Sequence, residues 1–519
     1  MSLSSLEYSY STDAHIHQMG EWTAIYNRHW GGLCLLDESA YQFVRQFSAR
    51  QTVQNKGPEH GNIFVAKGSP EERLLDQLAL RHILIQTGGD GGVDNRIPDL
   101  AKPPVAPVKV NVVQLVMANS CNFGCTYCFE GIQGADIKRQ AKSNLVQLRK
   151  DSNSPARINL QNSLYASPER LQHQEDPSNR TMKPQDAVDY IGRAIDVAKS
   201  TGTERVMIQF FGGEPLLNFR AIRAVLQTYG RGEAHGIGID YTIVTNGSMI
   251  DDEVAKTFAD YNVGVCVSFD SPESKSRPLK NGGDSRPIVF EGLRILQSHG
   301  VRVAMNVALS TDTWDTFEPS LVDFALSFGI REIGVVVDLD PGFYSNFGSE
   351  RIADKVWSLV EAGREKGVVL TGYWHQIFQL LASFGAITRR GFKNCSATGA
   401  QLSIEPNGSV FSCKAGSGRF GSIKDENLLQ TRSYQEHASL RQNNPSFCHG
   451  CEIEGFCAGL CLGPREKTYG TIGEMEPAAC GFYREITKRF INEVTPGELA
   501  TFELNGAGSS GSSRSSPVA

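Results

Sequence analysis

The apolar residues between positions 109 and 345 alternate between two periods. Short apolar runs such as "ERVMIQFF" and "DYTIVTNG" predict buried strands, and segments with helical apolar spacing, such as "FRAIRAVLQTYG", follow them. At least six strand–helix units can be traced in this region. This order predicts an α/β fold whose core is a partial (β/α)6 barrel of the TIM type. Functional residues are then expected in the loops that follow the carboxyl ends of the strands.

Residues 20–92 predict a small separate unit. The runs "WTAIYN" and "GGLCLLD" are typical of strands, "ESAYQFVRQFS" and "EERLLDQLALRH" have the spacing of amphipathic helices, and "ILIQTG" is a closing strand. Neither helix carries a basic stripe, so the pattern does not favour binding to nucleic acid.

Composition shifts divide the remainder of the chain. A proline-rich segment predicts a linker over 93–108, and the polar residues 131–181 predict a mobile insertion within the 109–345 core. Residues 346–390 are interpreted as a bridging region and 391–492 as a cysteine-rich domain. The Gly/Ser-rich end predicts a disordered tail over 493–519.

Length and charge exclude several classes of protein. The 519 residues are 40% hydrophobic and 21% charged, which is typical of a multidomain globular protein. A formal net charge of -6 gives no general attraction to nucleic acid or to an anionic membrane. The sequence shows neither a spanning apolar run of about 18 residues nor a signal peptide. We therefore predict a cytoplasmic protein without a nucleic-acid or membrane partner.

The distribution of the twelve cysteines carries the chemistry. In a reducing cytosol they are expected to be free thiols or metal ligands. Cys34 and Cys266 stand alone in apolar strands and are expected to be core residues. Cys121, Cys125 and Cys128 follow the first strand of the 109–345 region, and seven more cysteines lie between Cys395 and Cys480.

The run "CNFGCTYCF" supplies three closely spaced thiols. A structural zinc site is closed by four ligands, usually in close pairs, and no second pair lies nearby. Three cysteines suit a 4Fe–4S cluster better, and the fourth iron then remains open to a small molecule. Gly124 allows the tight backbone path that such a loop needs.

This spacing, with Tyr127 before the third cysteine, resembles the signature of the radical S-adenosylmethionine (SAM) enzymes. The segments "FFGGEPLL", "VTNG" and "VSFDSP", at the ends of the next three strands, resemble the motifs with which that family binds SAM. The resemblance implies SAM contacts from Tyr127, Phe129, Gly212, Gly213, Glu214, Asn246, Ser268 and Arg277. Arg286 is an alternative to Arg277 as the partner of the SAM carboxylate.

The later cysteines follow the order Cys-x12-Gly-x4-Cys, then Cys-x2-Cys-x5-Cys-x3-Cys, then Cys. This order resembles the SPASM extension of radical SAM enzymes that modify peptides and proteins. The resemblance implies one auxiliary 4Fe–4S cluster on Cys448, Cys451, Cys457 and Cys480, and a second on Cys395, Cys413 and Cys461. The fourth ligand of the second cluster is unaccounted for. With the cluster on Cys121, Cys125 and Cys128, three 4Fe–4S clusters and SAM are expected.

The resemblance also implies a reaction and its partners. A 5′-deoxyadenosyl radical would remove hydrogen from a ribosomally made precursor peptide, whose leader would be held by a winged-helix-like recognition domain at 20–92. A thioether or carbon–carbon crosslink, or backbone excision of the splicease type acting on Nif11-like peptides, would follow. A flavodoxin- or ferredoxin-type electron donor and an accessory protein are further expected partners.

Two other functions remain open at this stage. The chain also resembles the anaerobic sulfatase-maturating oxidases, but those enzymes lack the N-terminal domain. They also carry a catalytic Asp where "LTGYWHQIF" places Trp374 or His375. His375 is therefore a candidate catalytic base, since histidine titrates near neutral pH. The second alternative is a non-catalytic, peptide-binding scaffold in which clusters or zinc are structural.

Overall fold

The computed structural model describes most of the chain. The described residues are 6–49, 51–54, 63–87, 108–128, 179–339, 341–383, 395–416, 418–440, 445–457, 459, 461–463 and 477–507. Phe129, nearly all of the predicted linker 93–108 and nearly all of the predicted insertion 131–181 lie outside them. No helix in these ranges is both long enough and apolar enough to cross a membrane.

The N-terminal unit consists of two small sheets and two helices. Its strands are β1 (Leu6–Tyr10), β2 (Ala14–Met19), β3 (Trp22–Asn27), β4 (Gly31–Leu36), β5 (Gln51–Gln54), β6 (Ile63–Phe64) and β7 (Leu84–Thr87), and its helices are α1 (Glu38–Arg45) and α2 (Pro70–Leu80). The strand orders are β6-β5-β1-β7 and β2-β3-β4. Asp37 and Ser69 cap the two helices through their side chains, which accept hydrogen bonds from backbone amides of the first turn.

This unit has a hydrophobic core of its own, which includes Tyr8, Ile25, Phe47 and Leu78. Tyr8 lies on β1, which pairs with both β5 and β7. The predicted start of the unit at residue 20 is therefore wrong: β1 and β2 precede it, and β1 supplies the strand that joins its neighbours.

The centre of the molecule is one large sheet with covering helices. Seven strands follow one another in chain order: β8 (Val112–Ala118), β9 (Arg205–Gly212), β10 (Gly238–Thr245), β11 (Gly264–Ser268), β12 (Val303–Leu309), β13 (Glu332–Val337) and β14 (Val369–Thr371). The helices between them are α3 (Pro184–Ser200), α4 (Phe219–Tyr229), α5 (Asp252–Asp260), α6 (Arg286–Ser298), α7 (Ser320–Ser327), α8 (Pro341–Phe347) and α9 (Ser349–Lys366). All six neighbouring pairs from β8 to β14 are parallel.

The sheet extends beyond the six predicted strands on both sides. The short β14 pairs with β13 inside the predicted bridging region. On the other side, β15 (Gln401–Ile404) pairs in parallel with β8, and β16 (Ser409–Phe411) and β17 (Arg419–Ser422) continue antiparallel. The cysteine-rich region is thus joined to the core through backbone hydrogen bonds, because β15 lies directly beside the strand that leads to Cys121.

Helices complete the C-terminal half. They are α10 (Tyr373–Ala382), α11 (Arg432–Ala438), α12 (Pro445–Cys448), α13 (Pro477–Glu493) and α14 (Pro496–Ala507). Phe378 of α10 stacks on Phe490 of α13 with ring centroids 4.3 Å apart. The prediction of a disordered tail from residue 493 is wrong over 496–507, where α14 forms and Ser383 Oγ donates to the Phe502 carbonyl at 2.8 Å.

The turn between β3 and β4 is fastened to the loop that follows Cys451. Gly455 N donates to the Arg28 carbonyl at 2.8 Å, and Tyr26 packs edge-on against Phe456. A β-carbon on Gly455 would lie 2.1 Å from the His29 carbonyl oxygen, which is too close for any side chain. This contact holds the N-terminal unit on the cysteine-rich region.

We predict that Gly455→Ala lowers the free energy of unfolding by about 1–3 kcal/mol, because the added methyl group forces the two backbones apart. Gly497→Ala is the matched control, since nothing lies within 4 Å of a β-carbon there. Thermal unfolding of both variants, with limited proteolysis of the N-terminal unit, measures the difference. Equal stability of the two variants would contradict this account of the contact.

Candidate active site

A cavity of about 210 Å³ lies at the carboxyl ends of the parallel strands. Residues from the ends of β8 to β13 contribute to its wall, which is the position predicted from the alternating pattern. Its lining includes the predicted residues Cys121, Cys125, Cys128, Tyr127, Gly212, Gly213, Asn246, Ser268 and Arg277. Folding therefore brings together side chains separated by more than 150 positions of sequence.

The loop with the three cysteines is held by backbone hydrogen bonds to the segment after β11. Gly124 N donates to the Pro278 carbonyl at 2.8 Å, and Thr126 N donates to the Ser276 carbonyl at 2.9 Å. Lys280 N donates in return to the Asn122 carbonyl at 3.0 Å. The thiols are thereby fixed around the cavity, although the loop itself forms no helix or strand.

The three thiols face a site that suits a cluster. The twelve cysteines are thiols that take part in no disulfide, and those of the triad are half-buried at the cavity wall. Burial raises the pKa of Cys121 to about 11 and raises that of Cys125 above its ordinary value. Cysteines bind metal as thiolates, so binding of iron must compensate this burial and displace the protons. Three cysteines on one cavity, with no fourth cysteine among the residues that line it, fit a 4Fe–4S cluster with one open iron.

The glycine motif brings the ends of β8 and β9 close together. A β-carbon on Gly212, whose φ is 143°, would lie 2.4 Å from the Ala118 carbonyl oxygen. Gly213 N donates to the same carbonyl at 2.8 Å. Both glycines line the cavity, so no side chain there keeps a ligand away from the backbone.

Glu214, predicted as a SAM contact, is fully buried and is not part of the cavity lining. Its carboxylate accepts hydrogen bonds from Asn246 N at 2.7 Å, Thr245 Oγ1 at 2.8 Å and Leu216 N at 3.0 Å. Burial raises the pKa of Glu214, and these donors oppose the shift. Its side chain fixes the end of β10 against the glycine motif.

Asn246, in the "VTNG" motif, connects the cysteine loop to the glycine motif, since its backbone amide donates to Glu214. Its Nδ2 donates to Asn122 Oδ1 at 2.8 Å and lies 3.8 Å from Cys121 Sγ, and its Oδ1 accepts from Ser248 N at 3.0 Å. Ser268 lines the cavity at the end of the next strand, β11. The "VTNG" and "VSFDSP" segments therefore contribute to the same wall as the thiols.

A partly buried hydrogen-bond network joins Tyr127, Asp270 and Arg277. The Tyr127 hydroxyl donates to the Asp270 carboxylate at 2.6 Å and accepts from Arg277 Nη1 at 3.1 Å. Burial raises the pKa of Tyr127 well above its ordinary value, opposed by Arg277, so the hydroxyl remains a donor. Arg277 Nε is buried and has no partner within the described part of the chain, which leaves one donor available to a ligand carboxylate.

Arg286, the alternative carboxylate partner, is turned away from the cavity. It donates to Asp284 and to the Pro272 carbonyl, the latter at 2.7 Å, and it does not line the site. The geometry therefore favours Arg277. His375 also does not line the cavity: its ring packs among Trp374, Phe378 and Phe502, and burial lowers its pKa to about 4.

Asp270, Asn306 and Asp338 were not singled out from the sequence but line the cavity. Asp270 and Asp338 come one or two residues after the ends of β11 and β13. Residues that follow parallel strands meet at one edge of the sheet. This rule placed the cysteines and could have identified both carboxylates.

Five of the seven C-terminal cysteines lie near Tyr373 or Tyr483. Burial raises the pKa of Tyr373 well above its ordinary value, and Cys461, Cys395 and Cys413 lie near enough to raise that pKa further as thiolates. Burial also raises the pKa of Tyr483 well above its ordinary value, and nearby Cys457, Cys461 and Cys480 add to that rise. The first group corresponds to the predicted three-cysteine set. The second contains two of the predicted four-cysteine set, with Cys461 beside both tyrosines.

Comparison with known families agrees with this geometry. The model of the radical SAM superfamily matches residues 115–323, and that of the iron–sulfur cluster-binding SPASM domain matches residues 395–452. The radical SAM cyclopropyl synthase TigE from Paramaledivibacter caminithermalis is 39% identical over 384 residues, 74% of each chain. The chain therefore belongs to the radical SAM superfamily and carries a SPASM domain. It is a radical SAM enzyme that uses SAM and iron–sulfur clusters.

More distant proteins share the fold. The serine-type anaerobic sulfatase-maturating enzyme from Klebsiella aerogenes is 21% identical over 389 residues, 70% of this chain and 82% of that protein. The solved structure of native anSMEcpe with bound AdoMet aligns with a TM-score of 0.52 at 17% identity, covering 76% of this chain and 99% of that chain. At this identity the likeness concerns the α/β fold alone.

We predict that Cys125→Ala removes the SAM-responsive cluster and abolishes reductive cleavage of SAM, because one of three sulfur ligands is lost. Cys34→Ala is the matched control, since Cys34 lies on β4 in the N-terminal unit. Iron content and 5′-deoxyadenosine formation after anaerobic reconstitution provide the measurement. Undiminished 5′-deoxyadenosine formation by the Cys125 variant would show that the triad is not the cleavage site.

Proposed function

We propose that the enzyme modifies a ribosomally made peptide by closing a carbon–carbon bond within an aliphatic part of it, giving a cyclopropane ring. The observation that carries this proposal is the two-sided cavity: sulfur and SAM-binding motifs on one side, and an apolar wall from β12 and β13 on the other. The relative at 39% identity, a cyclopropyl synthase by name, supports this choice among the thioether, carbon–carbon and excision reactions.

The protein would hold the cofactors with residues already described. Cys121, Cys125 and Cys128 would ligate a 4Fe–4S cluster, while the backbone at Gly212 and Gly213, with Asn246, Ser268 and Arg277, would hold SAM. When bound, this pair supplies a 5′-deoxyadenosyl radical that removes a hydrogen atom from an unactivated C–H bond. The enclosing wall excludes water and orients the bond to be attacked, which is the contribution that a protein makes to cofactor chemistry.

The wall opposite the cysteines suits an aliphatic substrate. Ala308, Val336 and Leu339 line the cavity, are partly exposed and supply apolar surface there. Ring closure removes two hydrogens and forms one carbon–carbon bond, so one hydrogen leaves as an atom and the other as a proton with one electron left over. We assign acceptance of that proton to Asp338, because it comes from the same end of β13 as Val336 and Leu339, whereas Asp270, the other carboxylate lining the cavity, is bonded to Tyr127 of the cysteine loop.

The domain interpretation is part of the proposal. Contributions from the ends of six consecutive parallel strands to one cavity support curvature into a partial barrel. The separate core and small sheets of the N-terminal unit support a winged-helix-like domain that binds a leader peptide as an added strand. The cytoplasmic location, the flavodoxin- or ferredoxin-type donor and an accessory protein stay predictions.

The C-terminal cysteines would hold two further clusters, one on Cys448, Cys451, Cys457 and Cys480 and one on Cys395, Cys413 and Cys461. Three cubes correspond to about twelve irons per chain. The proximity of the second set to Tyr373 supports its grouping as one site. These clusters would accept the electron left over from ring closure.

Co-expression with a short peptide encoded beside the gene, followed by mass spectrometry, tests the function. We expect a peptide that has lost two hydrogens and no residues, in a reaction that does not require a cysteine in the substrate. Deuterium placed in the aliphatic side chain should appear in 5′-deoxyadenosine, and the Cys125→Ala enzyme should give unmodified peptide. Release of a backbone fragment, or product formation only with a cysteine-containing peptide, would contradict carbon–carbon ring closure.

A further inference from the structure

A buried ion pair lies between the two parts of the protein that carry cysteines. Lys414 Nζ is 3.3 Å from Glu405 Oε1, and the two side chains are 1% and 0% exposed. Lys414 directly follows Cys413, one of the cysteines near Tyr373. Glu405 directly follows β15, the strand that pairs with β8.

Asn119 joins this pair to the other cysteine loop. Its Oδ1 accepts a hydrogen bond from Lys414 Nζ, and its Nδ2 donates to Glu405 Oε2 at 2.7 Å. Asn119 directly follows β8 and stands two residues before Cys121. A short chain of buried polar contacts therefore runs from the residue after Cys413 to the loop of the N-terminal triad.

Neighbouring contacts restrain the same junction. Lys414 N donates to Gln114 Oε1 at 2.9 Å, and Ser403 Oγ donates to the same oxygen at 3.0 Å. Gln114 Nε2 in turn donates to Gln209 Oε1 at 2.9 Å, across to β9. The polar groups of β8, β9 and β15 are thus hydrogen-bonded to one another within the sheet.

A buried ion pair contributes little net free energy to stability. Desolvation of two buried charges consumes much of their mutual attraction, and well-packed apolar residues often serve stability equally well. A buried charge does act strongly on a nearby redox centre, because the field is weakly screened in a low-dielectric interior. Reduction adds negative charge to a cluster, so a cation stabilises the reduced form and an anion destabilises it.

We propose that Lys414 and Glu405, linked through Asn119, are positioning residues shared by the two cysteine sites. They fix the Cys413 loop against the loop of the N-terminal triad and set the reduction potential of the auxiliary cluster that Cys413 helps to hold. This inference rests on the proposed ligation of a cluster by Cys413.

Removal of the positive charge and removal of the negative charge are expected to shift the reduction potential in opposite directions. In the reconstituted full-length enzyme, Lys414→Met should lower the potential of one auxiliary cluster, and Glu405→Gln should raise it. The neutral double variant should recover most of either shift, and Lys414→Arg should stay near the wild-type potential. Redox titration followed by low-temperature electron paramagnetic resonance provides the measurement, with the SAM-responsive signal identifying the N-terminal cluster.

Lys355→Met is the control, because Lys355 pairs with Glu318 at the surface, where Glu318 is 52% exposed and solvent screens the charge. It should leave all potentials unchanged. Potential shifts of the same sign in both single variants, or no shift in either, would overturn the inference. A merely structural role would lower stability but would not shift the potential in opposite directions. Wild-type enzyme without any auxiliary signal would instead refute the proposed cluster ligation. If one single variant fails to fold, the other still tests the sign: a raised potential with Lys414→Met, a lowered potential with Glu405→Gln, or no shift would overturn the inference.

Discussion

The active site depends on how the loop after β8 is held. The loop with Cys121, Cys125 and Cys128 has no secondary structure of its own, and two amides, those of Gly124 and Thr126, bond it to the segment after β11. That segment also carries Arg277, which reaches back to Tyr127 within the same loop. The positions of the thiols and of the cationic group opposite them are therefore determined together, by contacts between segments about 150 residues apart.

This arrangement explains why so few polar groups serve the proposed chemistry. The parallel sheet brings successive loops to one edge, and buried side chains such as Glu214 and Asn246 then connect those loops to one another. The Lys414–Glu405 pair extends the same principle to the C-terminal cysteines. Buried polar residues such as Glu214 fix the loops, while the sulfurs, the glycine motif and side chains such as Asn246 and Arg277 line the cavity.

Sequence reasoning succeeded where a pattern is local. Apolar periodicity predicted the parallel strands, and spacing identified the three thiols and the motifs after β9, β10 and β11. It failed where the outcome depends on long-range packing: β15 beside β8, the strands β1 and β2, helix α14, and the inward orientation of Glu214. His375 was chosen from an approximate correspondence of position, and the structure places its ring among aromatic side chains because α10 packs against α13 and α14.

The central claim is that the three cysteines leave one iron of a cluster open to the amino and carboxylate groups of SAM. Electron–nuclear double resonance of the reduced enzyme, with SAM isotopically labelled in those two groups, tests it most directly. The account predicts hyperfine coupling from both labels to the N-terminal cluster, and its loss in the Cys125→Ala variant. A SAM-bound, fully loaded enzyme that shows no coupling from either label would contradict it.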